Sequence, residues 1–301
     1  MKKGLFFLGL FLLGVCLSAY GQTASGIIAP GAKVEQLADG FKFTEGPAVD
    51  SKGNVYFTDQ PNDKIYKWSV DGKLSEFGDK QGRANGMYFD NAGFLLSCSD
   101  DKNELWSIDT SNGSHTVILA DIGGERLNGP NDLWVTPNGG IYFTDPYFKR
   151  AWWTDRPEGV LQGGQFLYYI TPDRKSVRKV DTDLKQPNGL IGTPDGKRLY
   201  VADPGVRKTY VYTIQPDGSL TDRKLFAETG SDGMTIDNKG NIYVTGRGVT
   251  VFNPAGEQIE QIPVQAGWTA NVCFGGEDLQ TLFITASEKL YSIRMSVKGV
   301  R

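Results

Sequence analysis

One short pattern recurs six times along this chain, and that recurrence limits the possible fold more than any other feature. Each copy has a polar residue, a few apolar positions, a Gly turn and then an aromatic-rich strand. The copies begin Glu45-Gly-Pro-Ala-Val, Asn85-Gly-Met-Tyr-Phe, Asn131-Asp-Leu-Trp-Val, Asn188-Gly-Leu-Ile-Gly, Asp232-Gly-Met-Thr-Ile and Asn271-Val-Cys-Phe-Gly. In the first five a Gly follows the polar residue by eight positions: Gly53, Gly93, Gly139, Gly196 and Gly240. The starts are 40, 46, 57, 44 and 39 residues apart. A period near 40–50, built from strands and without amphipathic helices, is the signature of propeller blades. The expected fold is all-β: a six-bladed β-propeller with four-stranded antiparallel blades. In the first copy, Lys64-Ile-Tyr-Lys-Trp-Ser and Leu74-Ser-Glu-Phe supply the third and fourth strands. Lys33 to Leu37 is left over to complete the outer edge of the last blade and close the ring. The 38 glycines and 12% aromatic residues suit such a chain of short strands and tight turns.

Six-fold repetition has a chemical consequence. Equivalent positions lie at one depth around one axis, so Glu45, Asn85, Asn131, Asn188, Asp232 and Asn271 should open the innermost strands and converge on the channel. Two carboxylates and four amides form an all-oxygen set suited to Ca²⁺, Mg²⁺ or Mn²⁺, and oxygen sites also admit Zn²⁺. The competing reading is that Asn-Gly and Asp-Gly only make turns at strand entries. It accounts for single copies, but Glu45, a poor turn former, occupies the same register.

Other chemistries have little material to work with. The chain has one His, His115, in a segment that reads as an outer strand. HExxH and Cys2His2 zinc sites are excluded, and a Ser-His-Asp triad would have to use His115. No GxSxG, GxGxxG or GxxxxGK[ST] pattern occurs. With 32 basic and 35 acidic residues and no basic stripe, nucleic acid is not an expected partner.

The first 21 residues read as an export signal: Lys2-Lys3, an apolar run from Leu5 to Leu17, and Ala19-Tyr20-Gly21 as a small-x-small cleavage site. Cleavage would leave residues 22–301 as one propeller domain starting at Gln22, carrying −5, with no membrane segment, in the periplasm or outside the cell. Cys16 lacks the small preceding residue of a lipoprotein site. Cys98 and Cys273 remain and read as buried free thiols, although export permits a disulfide.

The residues Thr44-Glu45-Gly46-Pro47, Asn128-Gly-Pro-Asn131-Asp132, Gln186-Pro-Asn188-Gly, Ser231-Asp232-Gly-Met and Asn271-Val-Cys-Phe-Gly-Gly give the chain a family resemblance. From about Val34 to Ile293 it resembles the senescence marker protein/gluconolactonase/luciferin-regenerating enzyme-like family. The resemblance implies a six-bladed propeller with a divalent cation, usually Ca²⁺, in its channel. It implies Glu45, Asn131, Asn188 and Asp232 as ligands and Asp232 as proton donor/acceptor. It implies hydrolysis of a small-molecule lactone, with a phosphotriesterase on the same site or a non-catalytic binding propeller as the alternatives. Asn85, Asn131 and Asn271 are the candidate substrate contacts. Asp132, beside Asn131, is a second candidate base or a carboxylate that holds the Asn amide. Two positions depart from relatives. Gly129 stands where some sugar lactonases have Arg, and Thr235 stands where some phosphotriesterase-like relatives have an acidic ligand of a second Ca²⁺.

The third copy is longer than the others. Its extra residues, about 147–165, follow Thr144-Asp145-Pro146 and should emerge on the face where the polar residues begin. Tyr147, Arg150, Trp152 and Trp153 either wall the pocket or pack over a blade edge.

Overall fold

The structure, a computed structural model, describes Met1 and residues 26–300. Apart from Met1, the expected signal segment, with Cys16, lies outside the described residues.

Six four-stranded antiparallel sheets follow one another as the blades of a propeller. The innermost strands are Thr44–Val49, Ala84–Phe89, Leu133–Val135, Leu190–Gly192, Met234–Ile236 and Thr269–Gly275. Each lies against the inner strands of the blades on either side, and the sixth lies against the first. The ring closes as expected. Glu35–Ala38 pairs with Lys289–Arg294 and forms the outer edge of blade six, so the earliest and latest strands share one sheet.

The repeated sequence explains the repeated blade. Asp50 Oδ1 accepts from the backbone N–H groups of Lys52 and Asn54, and Gly53 takes the left-handed conformation with φ +91°. Asp90 makes the same turn with Ala92 and Phe94, and Asp237 with Lys239 and Asn241. In the first five blades the Gly eight residues after the polar residue is therefore the turn between first and second strands, where a side chain would be strained.

The second strands, such as Val55–Asp59 and Ile141–Asp145, are buried at every position. They lie between neighbouring blades and need apolar or aromatic side chains on both faces. Outer strands such as Leu74–Asp79 are largely exposed. The hydrophobic core is accordingly a series of wedges between adjacent sheets rather than one central mass. One such wedge joins Tyr56 and Ile65 of blade one to Met87, Leu95 and Trp106 of blade two. Another joins Tyr243 and Val251 of blade five to Phe274 and Ile284 of blade six.

Cys98 and Cys273 are free and buried, in agreement with the sequence reading. His115 opens the outermost strand of blade two, exposed, with its ring stacked 3.7 Å from that of Trp106. It takes no part in the channel.

Candidate functional site at the channel mouth

Five of the six repeated polar residues, Glu45, Asn85, Asn131, Asn188 and Asp232, line one cavity of about 1200 Å³. Asn271 is outside that lining. Its Oδ1 accepts from the Val272 N–H at 2.8 Å, and its side chain hydrogen-bonds the Glu45 and Asp132 carboxylates. In that position it braces the two acids.

The glycines after four of the polar residues, Gly46, Gly86, Gly189 and Gly233, are required by packing, and Gly46 also takes a left-handed φ of +45°. A Cβ on Gly46 would lie 1.9 Å from the Asn85 carbonyl oxygen, and one on Gly189 would lie 2.5 Å from that of Asp232. A Cβ on Gly233 would meet the Asn271 amide at 1.9 Å. Each Gly lets its inner strand come close to the polar residue of the next blade. In blade three that place belongs to Asp132, whose carboxyl is buried and accepts from the Leu133 N–H at 2.9 Å. Burial pushes its pKa up to about 7.

A second recurring acid holds the approach to three site residues. Asp59 accepts from the N–H groups of Lys42 and Phe43, Asp145 from those of Asn128 and Gly129, and Asp203 from those of Lys185 and Gln186. In each case the donors are the third and second residues before Glu45, Asn131 or Asn188. All three carboxylates are fully buried. The repeated ending of the second strand, Thr-Asp in blades one and three and Ala-Asp in blade four, was the visible signal for these clamps.

The two carboxylates of the cavity are close enough to affect each other. Burial, then Asp232 and Asp132, raise the Glu45 pKa well above the usual carboxylate range, against the opposing Gly46 N–H bond of 2.8 Å. Burial also raises that of Asp232, with donors on both of its oxygens opposing. Asn188 Nδ2 donates to Oδ1 at 2.9 Å and Trp268 Nε1 to Oδ2 at 2.5 Å. Trp268, half-exposed in the cavity wall, was not singled out in the sequence. It carries no repeat signal beyond standing three residues before Asn271.

This arrangement fits a hard divalent cation. Asn85 Oδ1 and Asn188 Oδ1 are buried and have no hydrogen-bond partner. Beside them, like charges are crowded together in a buried place. Among the described residues no three His, Cys, Asp or Glu side chains gather into a metal-binding group, so a cation here needs amide oxygens as well as carboxylates.

The insertion of blade three divides between its two expected places. Phe148 and Arg150 line the cavity. Trp153 packs inward, donating from Nε1 to the Asp100 carbonyl at 2.6 Å, with the Arg156 guanidinium 4.3 Å from its ring centre. A Cβ on Gly129 would meet the Trp153 ring at 2.9 Å, so this Trp covers the place of the missing Arg.

The architecture is shared with characterised proteins. The gluconolactonase of Zymomonas mobilis is 27% identical, over 94% of this chain and 87% of its own length. The solved structure of XC5397 from Xanthomonas campestris, a gluconolactonase, has a TM-score of 0.82 at 28% identity, covering 90% and 91% of the two chains. Regucalcin from Agrobacterium tumefaciens, a calcium-binding protein, shares the fold at 21% identity and a TM-score of 0.72, over 88% and 94%. The family model for the SMP-30/gluconolactonase/LRE-like region matches residues 43–288. By this match, and by its six blades and channel residues, the chain belongs to the SMP-30/gluconolactonase/LRE-like family.

Proposed function

We propose that this chain is a divalent-cation-dependent lactone hydrolase acting on a sugar lactone. The observation that carries the reading is the pair of unpartnered amide oxygens beside crowded carboxylates in one channel-mouth cavity. The gluconolactonase relatives supply the reaction class. Glu45, Asn131, Asn188 and Asp232 would hold the cation, most simply Ca²⁺, with Asn85 as a further oxygen donor or a substrate contact. Bound there, such a cation supplies Lewis acidity toward the lactone carbonyl and makes water more acidic.

The protein's own groups account for the proton movements. Asp232 accepts a proton from the attacking water as the new C–O bond forms. It returns that proton to the ring oxygen as the ring C–O bond breaks, and a hydroxy acid leaves. Asn188 and Trp268 orient the carboxylate throughout by donating to its two oxygens. Asn271 and the Gly46 N–H hold Glu45. Asp132, buried and hydrogen-bonded to its own inner strand, supports the Asn271 amide and is not the base.

Lactone hydrolysis should stop on chelation and return with added Ca²⁺. Glu45→Gln and Asp232→Asn should each lower kcat/KM by at least about a hundredfold. Full activity in both variants would reject the mechanism. We also propose that the chain is exported. N-terminal sequencing of the mature protein should then begin at Gln22; a product that retains Lys2 and Lys3 would reject that proposal.

A further inference from the structure

The charge of the cavity rim is unlike that of the whole molecule. Two carboxylates, Glu45 and Asp232, and three guanidinium groups, Arg150, Arg207 and Arg247, line the cavity, whereas the chain carries a formal charge of −3. The three arginines hold equivalent places in consecutive blades, each in the connection that follows the second strand. Arg150 belongs to the insertion after Ile141–Asp145 in blade three. Arg207 ends the short turn after Arg198–Asp203 in blade four, with φ +56°. Arg247 lies between Ile242–Gly246 and Gly248–Phe252 in blade five. Together they form an arc along one side of the mouth.

Their bonding leaves them available. Arg150 Nε donates to Asp100 Oδ2 at 2.8 Å, and Gln60 Nε2 donates to the same oxygen at 2.9 Å. Its guanidinium stands 5.8 Å from the ring centres of Phe148 and Trp152. This half-buried side chain is held through one nitrogen, and its two terminal nitrogens have no protein acceptor among the described residues. Arg207 and Arg247 are exposed and form no ion pair among the described residues. An arc of guanidinium donors offers paired, charge-assisted hydrogen bonds to a planar or tetrahedral oxyanion. A positive rim also steers anions to the mouth.

We propose that the substrate carries an oxyanionic group (carboxylate, sulfonate or phosphate ester) away from the lactone ring, bound by Arg150, Arg207 and Arg247. The inference rests on the lactonase reading and names the substrate class of that same site. The arginines act as specificity groups that place the ring over Asp232.

The test compares kcat/KM for D-glucono-1,5-lactone with that for glucaro-lactone, 6-phosphogluconolactone and 6-deoxy-6-sulfogluconolactone, in Ca²⁺-containing buffer at low and high salt. At least one charged lactone should be hydrolysed roughly tenfold more efficiently than the neutral one. The three charged arms identify which oxyanion is read. The preference should shrink at high salt. It should also fall roughly tenfold in the exposed double variant Arg207→Gln/Arg247→Gln, and separately in Arg150→Gln. Equal use of neutral and charged lactones, or a preference that survives in the double variant, overturns the inference and leaves the lactonase reading standing. Failure to hydrolyse any of the four lactones overturns the lactonase reading and the inference with it.

Discussion

Asp232 Oδ2 is met by an indole N–H at 2.5 Å from a Trp that is only half buried. That contact contributes more to orientation than to stability. Trp268→Phe keeps the aromatic surface and removes the donor. It should lower kcat roughly tenfold and leave the melting temperature nearly unchanged. Gly189→Ala should lower stability, because the new Cβ would press on the backbone of blade five at Asp232 and Gly233. It should cost about 1–3 kcal/mol in urea unfolding. Sequence alone was sufficient for the repeated polar residues, because six copies in one register point to one axis. It offered Arg150 as one wall of the pocket, and Arg150 lines the cavity, but it was not sufficient for Trp268, which reaches the same cavity from a loop where no period can be counted. The Gly after four of the six polar residues looked like turn chemistry and serves close approach between blades.

At the scale of strands and loops, the buried clamps set the position of the site. Asp203→Ala leaves the Lys185 and Gln186 N–H groups without their acceptor and should cost about 1–3 kcal/mol while displacing Asn188. Urea melts of the variant and its lactonase rate check both effects. The recurrent Asp was in plain view in the sequence, but its role depends on a loop sixteen to eighteen residues earlier folding back over it. Burial also gives a pH signature. The carboxyls of Asp100 and Asp145 are both pushed up to about 6. With pKa values raised on folding, these groups favour the folded state below about pH 4, and that contribution is lost as the pH rises through about 6. Its upper limit is about 3 kcal/mol for each group. Glu45 and Asp232 shift in the same direction. The melting temperature of metal-stripped protein should therefore fall between pH 4 and pH 7. A steady rise over that range would show that these acids are not held as described.

For the whole molecule, closure of the ring links the two ends of the described chain. A variant that starts after Ala38 loses the outer strand of blade six and leaves the edge of Lys289–Arg294 open. It should unfold at lower urea concentration and self-associate in size-exclusion runs, since an unpaired edge is a template for strand addition. The fold was legible because the +8 Gly recurs at every hairpin of the first five blades, and a leftover strand at one end implied closure. The positive arc at the mouth was not legible, because only the ring brings Arg150, Arg207 and Arg247 to one side.

The ring also brings Glu45, Asn131, Asn188 and Asp232 to one cavity, and the account depends on a cation being held there. Calorimetric titration of Ca²⁺ into chelator-stripped protein tests this most directly, with the Glu45→Gln/Asp232→Asn double variant alongside. We expect one cation per wild-type chain and binding weakened by at least about a hundredfold in the variant. One-site binding of undiminished affinity in the double variant, or no binding by the wild type, would contradict it.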